Sequence, residues 1–152
     1  MAKLTNNERS PYTDVIVLNA ADIVAIGNGG QKVIASIPAG GGVELCAVIK
    51  TVAITGSTSL VMDVGTTLAD PDEFIDNLDV DGMTTNLATF NTGDSMYQGA
   101  TTTTILAGSR PAKLVSTKTD IVVEFNDAAI ADITAGQVII GLSIIDLNQY
   151  VS

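Results

Sequence analysis

Ser59-Leu60-Val61-Met62-Asp63-Val64-Gly65 sets Leu60, Met62 and Val64 against Ser59, Val61 and Asp63, the period-two alternation of a strand with one face on a core. The pattern stops at Gly65. It gives way to Thr66-Thr67-Leu68-Ala69-Asp70-Pro71-Asp72-Glu73-Phe74-Ile75-Asp76-Asn77-Leu78-Asp79-Val80-Asp81-Gly82, the densest run of carboxylates in the chain. Within that run Asp70 is placed to cap a helix, Pro71 to occupy its first position and Glu73 to reach back to the cap. The spacing predicts a short helix over residues 72–77, with Phe74 and Leu78 on one inward side and the carboxylates facing water or a neighbouring subunit.

Strand signals extend on both sides of this run. Residues 12–18 read as a first strand, 19–22 as a turn and 23–26 as a short strand. Gly27-Asn28-Gly29-Gly30 then makes a hairpin connection into residues 31–37, with Val33, Ala35 and Ile37 on one face. Residues 43–55 are long for a strand, and a bend or bulge is predicted near Lys50 and Thr51. A long excursion runs over residues 81–99, tethered by Leu87 and Phe90.

Sheet resumes at residues 101–106. Residues 112–117 and 120–126 read as a pair, with Ile121, Val123 and Phe125 inward and Val122 and Glu124 outward. A loop over residues 127–136 has room for one helical turn. The closing strand, 137–147, turns Val138, Ile140, Leu142 and Ile144 to the core, and the small Gly141 and Ser143 leave its other face open to a further layer. The tally is an all-β fold, an antiparallel β-sandwich or jelly roll of about eight to ten strands with one short helix. Residues 1–11 form a flexible N-terminal arm and residues 12–152 a single domain.

Composition narrows the function. The chain of 152 residues carries a net charge of −10, which argues against a nucleic-acid partner, since such partners need clustered Lys and Arg. No apolar run approaches the ~20 residues needed to cross a bilayer, and residues 1–10 lack the apolar centre of a signal peptide, so no membrane partner and synthesis in a cytoplasm are expected. The lone Cys46 lies in an apolar run and reads as a buried, inert thiol. With no His, nucleophilic catalysis lacks its usual base and zinc its usual ligand. Asn77-Leu78-Asp79-Val80-Asp81-Gly82 fits the first half of a calcium loop, but the twelfth position falls on Ala88, where a bidentate Glu belongs. The glycines at 40–42 lead into a β-branched run and lack the Gly-Lys-Ser/Thr of a phosphate loop, so they read as a hairpin turn. Paired carboxylates suit a glycosidase, yet aromatic residues make up 4% of the chain and none is Trp, too few for a sugar-stacking cleft. No catalytic residue, cofactor site or metal site is predicted, and the chain does not read as an enzyme.

The strand ending Val64-Gly65, the segment Asp70-Pro71-Asp72-Glu73-Phe74-Ile75-Asp76, the loop Ala88-Thr89-Phe90-Asn91-Thr92-Gly93 and the Pro38-Ala39-Gly40 turn together resemble the small head decoration, or cement, proteins of tailed bacteriophages. The resemblance spans residues 33–147, and its most specific part is Asp-Pro-Asp-x-Phe-Ile-Asp. It implies a structural virion protein on the capsid exterior, bound to the major capsid protein as a homo-oligomer, a trimer in many such proteins, with no catalytic residue. Contacts are expected from the arm (Lys3, Leu4, Arg9), from Tyr12, from the acidic stretch (Asp72, Asp76, Asp79), from the long excursion (Phe90, Tyr97) and from Tyr150 near the end. The alternative is a glycan- or receptor-binding β-sandwich module, marked by aromatics clustered beside a carboxylate or metal.

Overall fold

The computed structural model describes residues 11–66, 68–90, 92–93, 113–146 and 148. In chain order these form β1 (Asp14–Asn19), α1 (Ala20–Ile26), β2 (Gly30–Ile37), β3 (Gly41–Thr55), β4 (Val61–Gly65), β5 (Ile75–Asp79), β6 (Ala88–Phe90), β7 (Lys113–Leu114), β8 (Thr119–Asn126), a 3₁₀ turn (Ile130–Asp132) and β9 (Ala135–Asp146). The chain is mostly β, with every strand pair antiparallel. One sheet runs β1-β9-β3-β6, with β7 also on β3, and the other runs β2-β8-β4-β5. Leu18, Val48, Ile140 and Leu142 from the first sheet join Ile37, Met62, Ile121 and Phe125 from the second in one buried cluster. Without Trp, this core is closed mainly by Ile, Val and Leu, whose branched side chains suit a pleated surface.

The alternation read at residues 59–65 is real: Leu60, Met62 and Val64 are all fully buried. The bend predicted in the long strand is also present, as register shifts in the β3–β9 ladder between Lys50 and Val52 and on to Thr55. Lys50 points inward there and is buried. Its Nζ donates to Val80 O (2.9 Å) and Asp81 O (2.8 Å), so two loop carbonyls receive the buried ammonium.

The helix predicted over residues 72–77 is absent, and a strand stands in its place. Phe74 N–H donates to Val64 O (2.9 Å), and Ile75 and Leu78 pair with Val64 and Met62 of β4. Asn77 takes the left-handed region at φ 46°, and its N–H donates to Asp63 Oδ1 (2.6 Å). Glu73 does not reach back to the Asp70 amide. It is buried, and it accepts from the N–H (2.6 Å) and hydroxyl (2.7 Å) of Thr66. Cap chemistry is a weak local preference, and the ladder to β4 outweighs it.

The helix lies earlier, where a turn and a strand were predicted. Asn19 begins α1, Asp22 Oδ2 accepts from the Asn19 N–H (3.0 Å), and Ala20, Ile23 and Val24 turn to the core at helical spacing. Residues 23–26 therefore make no hairpin with β2, which pairs with β8 instead. A register shift between Val33 and Ala35 turns Val33 outward, 55% exposed, while Ile37 stays buried.

Two further pairings differ from expectation. The strand at residues 113–114 lies on β3, not on β8. The excursion after residue 81 is not tethered by Leu87 and Phe90, which are exposed. It is held by the Asn86 N–H on Lys50 O (2.7 Å), by β6 on β3 and by the Gly93 N–H on Phe74 O (2.9 Å). Gly93 is required there, because a Cβ would lie 2.3 Å from the Phe74 backbone. The strand predicted at 101–106 lies outside the described residues.

Candidate interaction face

The side of the five-stranded sheet that faces away from the core is built by cross-strand partners, which point the same way. Two rows cross four strands. The first is Val15, Gly141, Ala47 and Phe90, and the second is Val17, Ile139, Ile49 and Ala88. None of these side chains is charged, in a chain with 17 acidic and 7 basic residues. Of the large hydrophobics exposed among the described residues, Val15 (61%), Val17 (46%), Val52 (47%) and Phe90 (40%) all lie on this face. A cluster of this kind, unlike isolated exposed hydrophobics, marks an interaction surface.

Between the rows is an apolar depression of ≈ 210 Å³, walled by Tyr12, Val15, Ile49 and Ile139, where Gly141 and Ala47 contribute almost no side chain. The further layer expected over Gly141 comes from the chain itself. The Tyr12 ring lies on this glycine so closely that a Cβ would stand 2.8 Å from its Cδ1. Cys46, on the opposite side of β3, is fully buried, and burial pushes its thiol far above the usual range, so it is inert as expected.

The outward side of the four-stranded sheet has the opposite character. Asp63 and Glu124 are direct cross-strand partners there, with Asp70 and Asp76 near enough to act on Asp63. Burial pushes the Asp63 carboxyl up. The hydrogen bond from Asn77 works against that shift, and repulsion from Asp76, Glu124 and Asp70 adds to it. Gln31 bridges this surface, donating to Glu124 Oε2 (2.6 Å) and to Leu68 O (2.7 Å), so the loop after β4 folds across the sheet. Val122, predicted outward, does point outward, as the partner of the exposed Val33, but is itself buried.

Several carboxylates of the acidic run accept hydrogen bonds from the chain itself, while Asp70 and Asp79 stay exposed. Besides Glu73, Asp81 accepts from Ser57 Oγ (2.7 Å) and from the Leu60 N–H (2.9 Å), and Asp79 accepts from the Gly82 N–H (2.9 Å). Among the described residues no three His, Cys, Asp or Glu side chains converge as a metal ion requires. No helix among them is long and apolar enough to cross a membrane.

Of the residues expected to make contacts, Tyr12 and Phe90 are brought to the apolar face, while Asp76 and Asp79 lie in β5 of the other sheet and Asp72 on the loop before it. Lys3, Leu4, Arg9, Tyr97 and Tyr150 lie outside the described residues. Val15, Val17, Ile49 and Ile139 were not singled out from the sequence. Their signal was present all the same: Val15-Ile16-Val17-Leu18 and Val138-Ile139-Ile140 are continuous apolar runs, the mark of strands covered on both faces. Comparison of the chain with protein-family models, with curated proteins and with solved structures finds no match to any of the three.

Proposed function

We propose that this chain is a non-catalytic β-sandwich of the jelly-roll type that serves as a structural protein of a tailed-phage particle. It docks on the major capsid protein through the outward side of the five-stranded sheet and turns its acidic sheet to solvent. The observation that carries this reading is the contrast between the two outward surfaces, one apolar and uncharged, the other lined by Asp63, Glu124, Asp70 and Asp76. A decoration protein needs such polarity, because one side must lose water on docking while the other keeps neighbouring copies soluble. The resemblance of the Asp70-to-Asp76 segment to cement proteins supports the choice of partner. The glycan-binding alternative asks for aromatics beside carboxylates. Tyr12 and Phe90 lie instead on the uncharged face, with the carboxylate cluster on the other sheet.

Cosedimentation with undecorated capsids of the phage that encodes the chain tests this reading. Phe90→Glu places a charge at the β6 end of the docking patch and is expected to lower affinity about tenfold or more, the effect of losing an aromatic anchor. Asp76→Asn, on the acidic side, is expected to bind as wild type. Equal binding by Phe90→Glu, or loss with Asp76→Asn, would overturn the assignment of the face.

A further inference from the structure

The edge of a sheet is a row of backbone N–H and C=O groups open to another strand. Proteins blunt such edges by keeping them short, bulged or charged. Among the described residues the sheet edges are treated unequally. β2 carries an exposed Lys32 and the register break between Val33 and Ala35. β5 carries Asp76 and Asp79, holds Asn77 in the left-handed region and breaks register against β4. β6 has three residues and β7 two. β1 is neither short nor bulged, and its one charge, Asp14, stands at its first position. Its six residues, Asp-Val-Ile-Val-Leu-Asn, keep an unbroken register with β9 from Asp14 to Asn19, with no proline, glycine, lysine or bulge.

We propose that β1 is a self-association edge, which pairs antiparallel with β1 of a second copy across a two-fold axis and joins two five-stranded sheets into one. Opposed residues must point to the same face, so only alternate registers are permitted. With the axis at Val17, Val17 meets Val17 on the outward side, and Ile16 meets Leu18 of the second copy on the core side. Asp14, the one ionisable residue of the strand, stays outside the paired stretch. The two Asp14 carboxylates then lie about 20 Å apart, given ~3.3 Å per residue, beyond the ~8 Å screening length at physiological salt. Two chains of net charge −10 thus meet along an uncharged strip. Such a pairing is satisfied by identical surfaces, which favours a second copy over a foreign strand. It also sets two apolar faces side by side, so that each docked dimer has two attachment patches. This pairing stands independently of capsid docking, and it replaces the trimer that the resemblance implies.

Light scattering on the full chain tests it without any capsid. The expected mass is twice the 15.6 kDa of one chain. Val17 is already 46% exposed, so Val17→Lys is expected to leave the circular dichroism spectrum unchanged while the mass falls to that of one chain. Val17→Cys is expected to give a covalent dimer on mild oxidation, since opposed strand residues lie about 4.5–5.5 Å apart at Cα, within the range a disulfide spans. The buried Cys46 takes no part. A single-chain mass for the wild type, whether or not deletion of residues 1–10 then produces dimers, would overturn the proposal. So would a three-chain mass, or a dimer that survives Val17→Lys and resists cross-linking through Val17→Cys.

Discussion

Phe74→Ala is expected to cost about 3–5 kcal/mol, the range for emptying a fully buried phenylalanine site. Phe74 is completely buried, its N–H is bonded to Val64, its carbonyl accepts from Gly93, and its ring belongs to the cluster shared by the two sheets. For a chain of this length the loss corresponds to a fall in melting temperature of roughly 6–20 °C. Leu78→Ala is the informative companion. A helix over residues 72–77 would place Phe74 and Leu78 on one face at equal depth, whereas β5 leaves Leu78 half-buried at the rim opposite Met62. Its expected cost is about 1–2 kcal/mol, since only part of the side chain leaves water. Thermal or urea denaturation separates the two cases, and equal losses would contradict the strand.

Asp127→Ala is expected to cost about 3 kcal/mol through lost hydrogen bonds rather than lost packing. The buried carboxylate gathers the Thr58 hydroxyl (2.6 Å) and the N–H groups of Ala129 (2.8 Å), Thr58 (2.9 Å) and Ser59 (3.1 Å). Its own N–H donates to Asn28 Oδ1 (2.9 Å). One side chain therefore ties the β3–β4 connection to the start of the loop after β8, and its backbone amide ties in the turn before β2. Burial pushes this carboxyl up, but the hydrogen bonds from Thr58, Ala129 and Ser59 together outweigh it and bring the pKa down to about 2.

The sign of the pH dependence follows from that lowered value. The folded carboxyl titrates near 2 and the unfolded one near 3.8, so its stabilisation is complete above pH 4 and is lost as pH falls from there toward 2. Denaturation midpoints measured from pH 7 to pH 2 are expected to fall in this window for the wild type. In Asp127→Asn the same window is expected to be flatter, and neutral stability lower by about 1–2 kcal/mol because the amide NH₂ faces donors. Identical pH profiles would remove the assigned role.

Strands whose two faces differ were legible in the sequence. β4 and β8 declare their buried sides through Leu60, Met62 and Val64 and through Ile121, Val123 and Phe125. What failed was local chemistry overruled by distant partners. Asp70, Pro71 and Glu73 spell a helix start, yet β4 supplies a ladder that no window of residues 70–78 contains. Ile23, Val24 and Ile26 suggested a strand by propensity, although Asn19 and Asp22, together with the spacing of Ala20, Ile23 and Val24, carried a helix signal. Residues 113–114 could not be assigned to β3 because nothing in their own sequence names a partner 70 residues away, and the exposure of Val33 depends on a bulge that its neighbours do not announce.

The candidate face was half legible. Tyr12 and Phe90 were singled out as candidate contacts, but their placement in one patch follows from the pairing of β9 with both β1 and β3 and of β3 with β6, which sequence alone does not give. The acidic run drew attention for its charge. In the folded chain Glu73, Asp79 and Asp81 are hydrogen-bond acceptors that hold turns, and the uncharged sheet opposite is the better candidate for contact.

Electron cryomicroscopy of intact particles assembled with this chain tests the central claim most directly, because it shows both location and orientation. The account predicts density for the chain on the capsid exterior, with Tyr12, Ile139 and Phe90 against the major capsid protein and Asp70, Asp76 and Glu124 turned to solvent. Density elsewhere in the particle, or an apolar face left open to water while the acidic sheet meets the lattice, would contradict it.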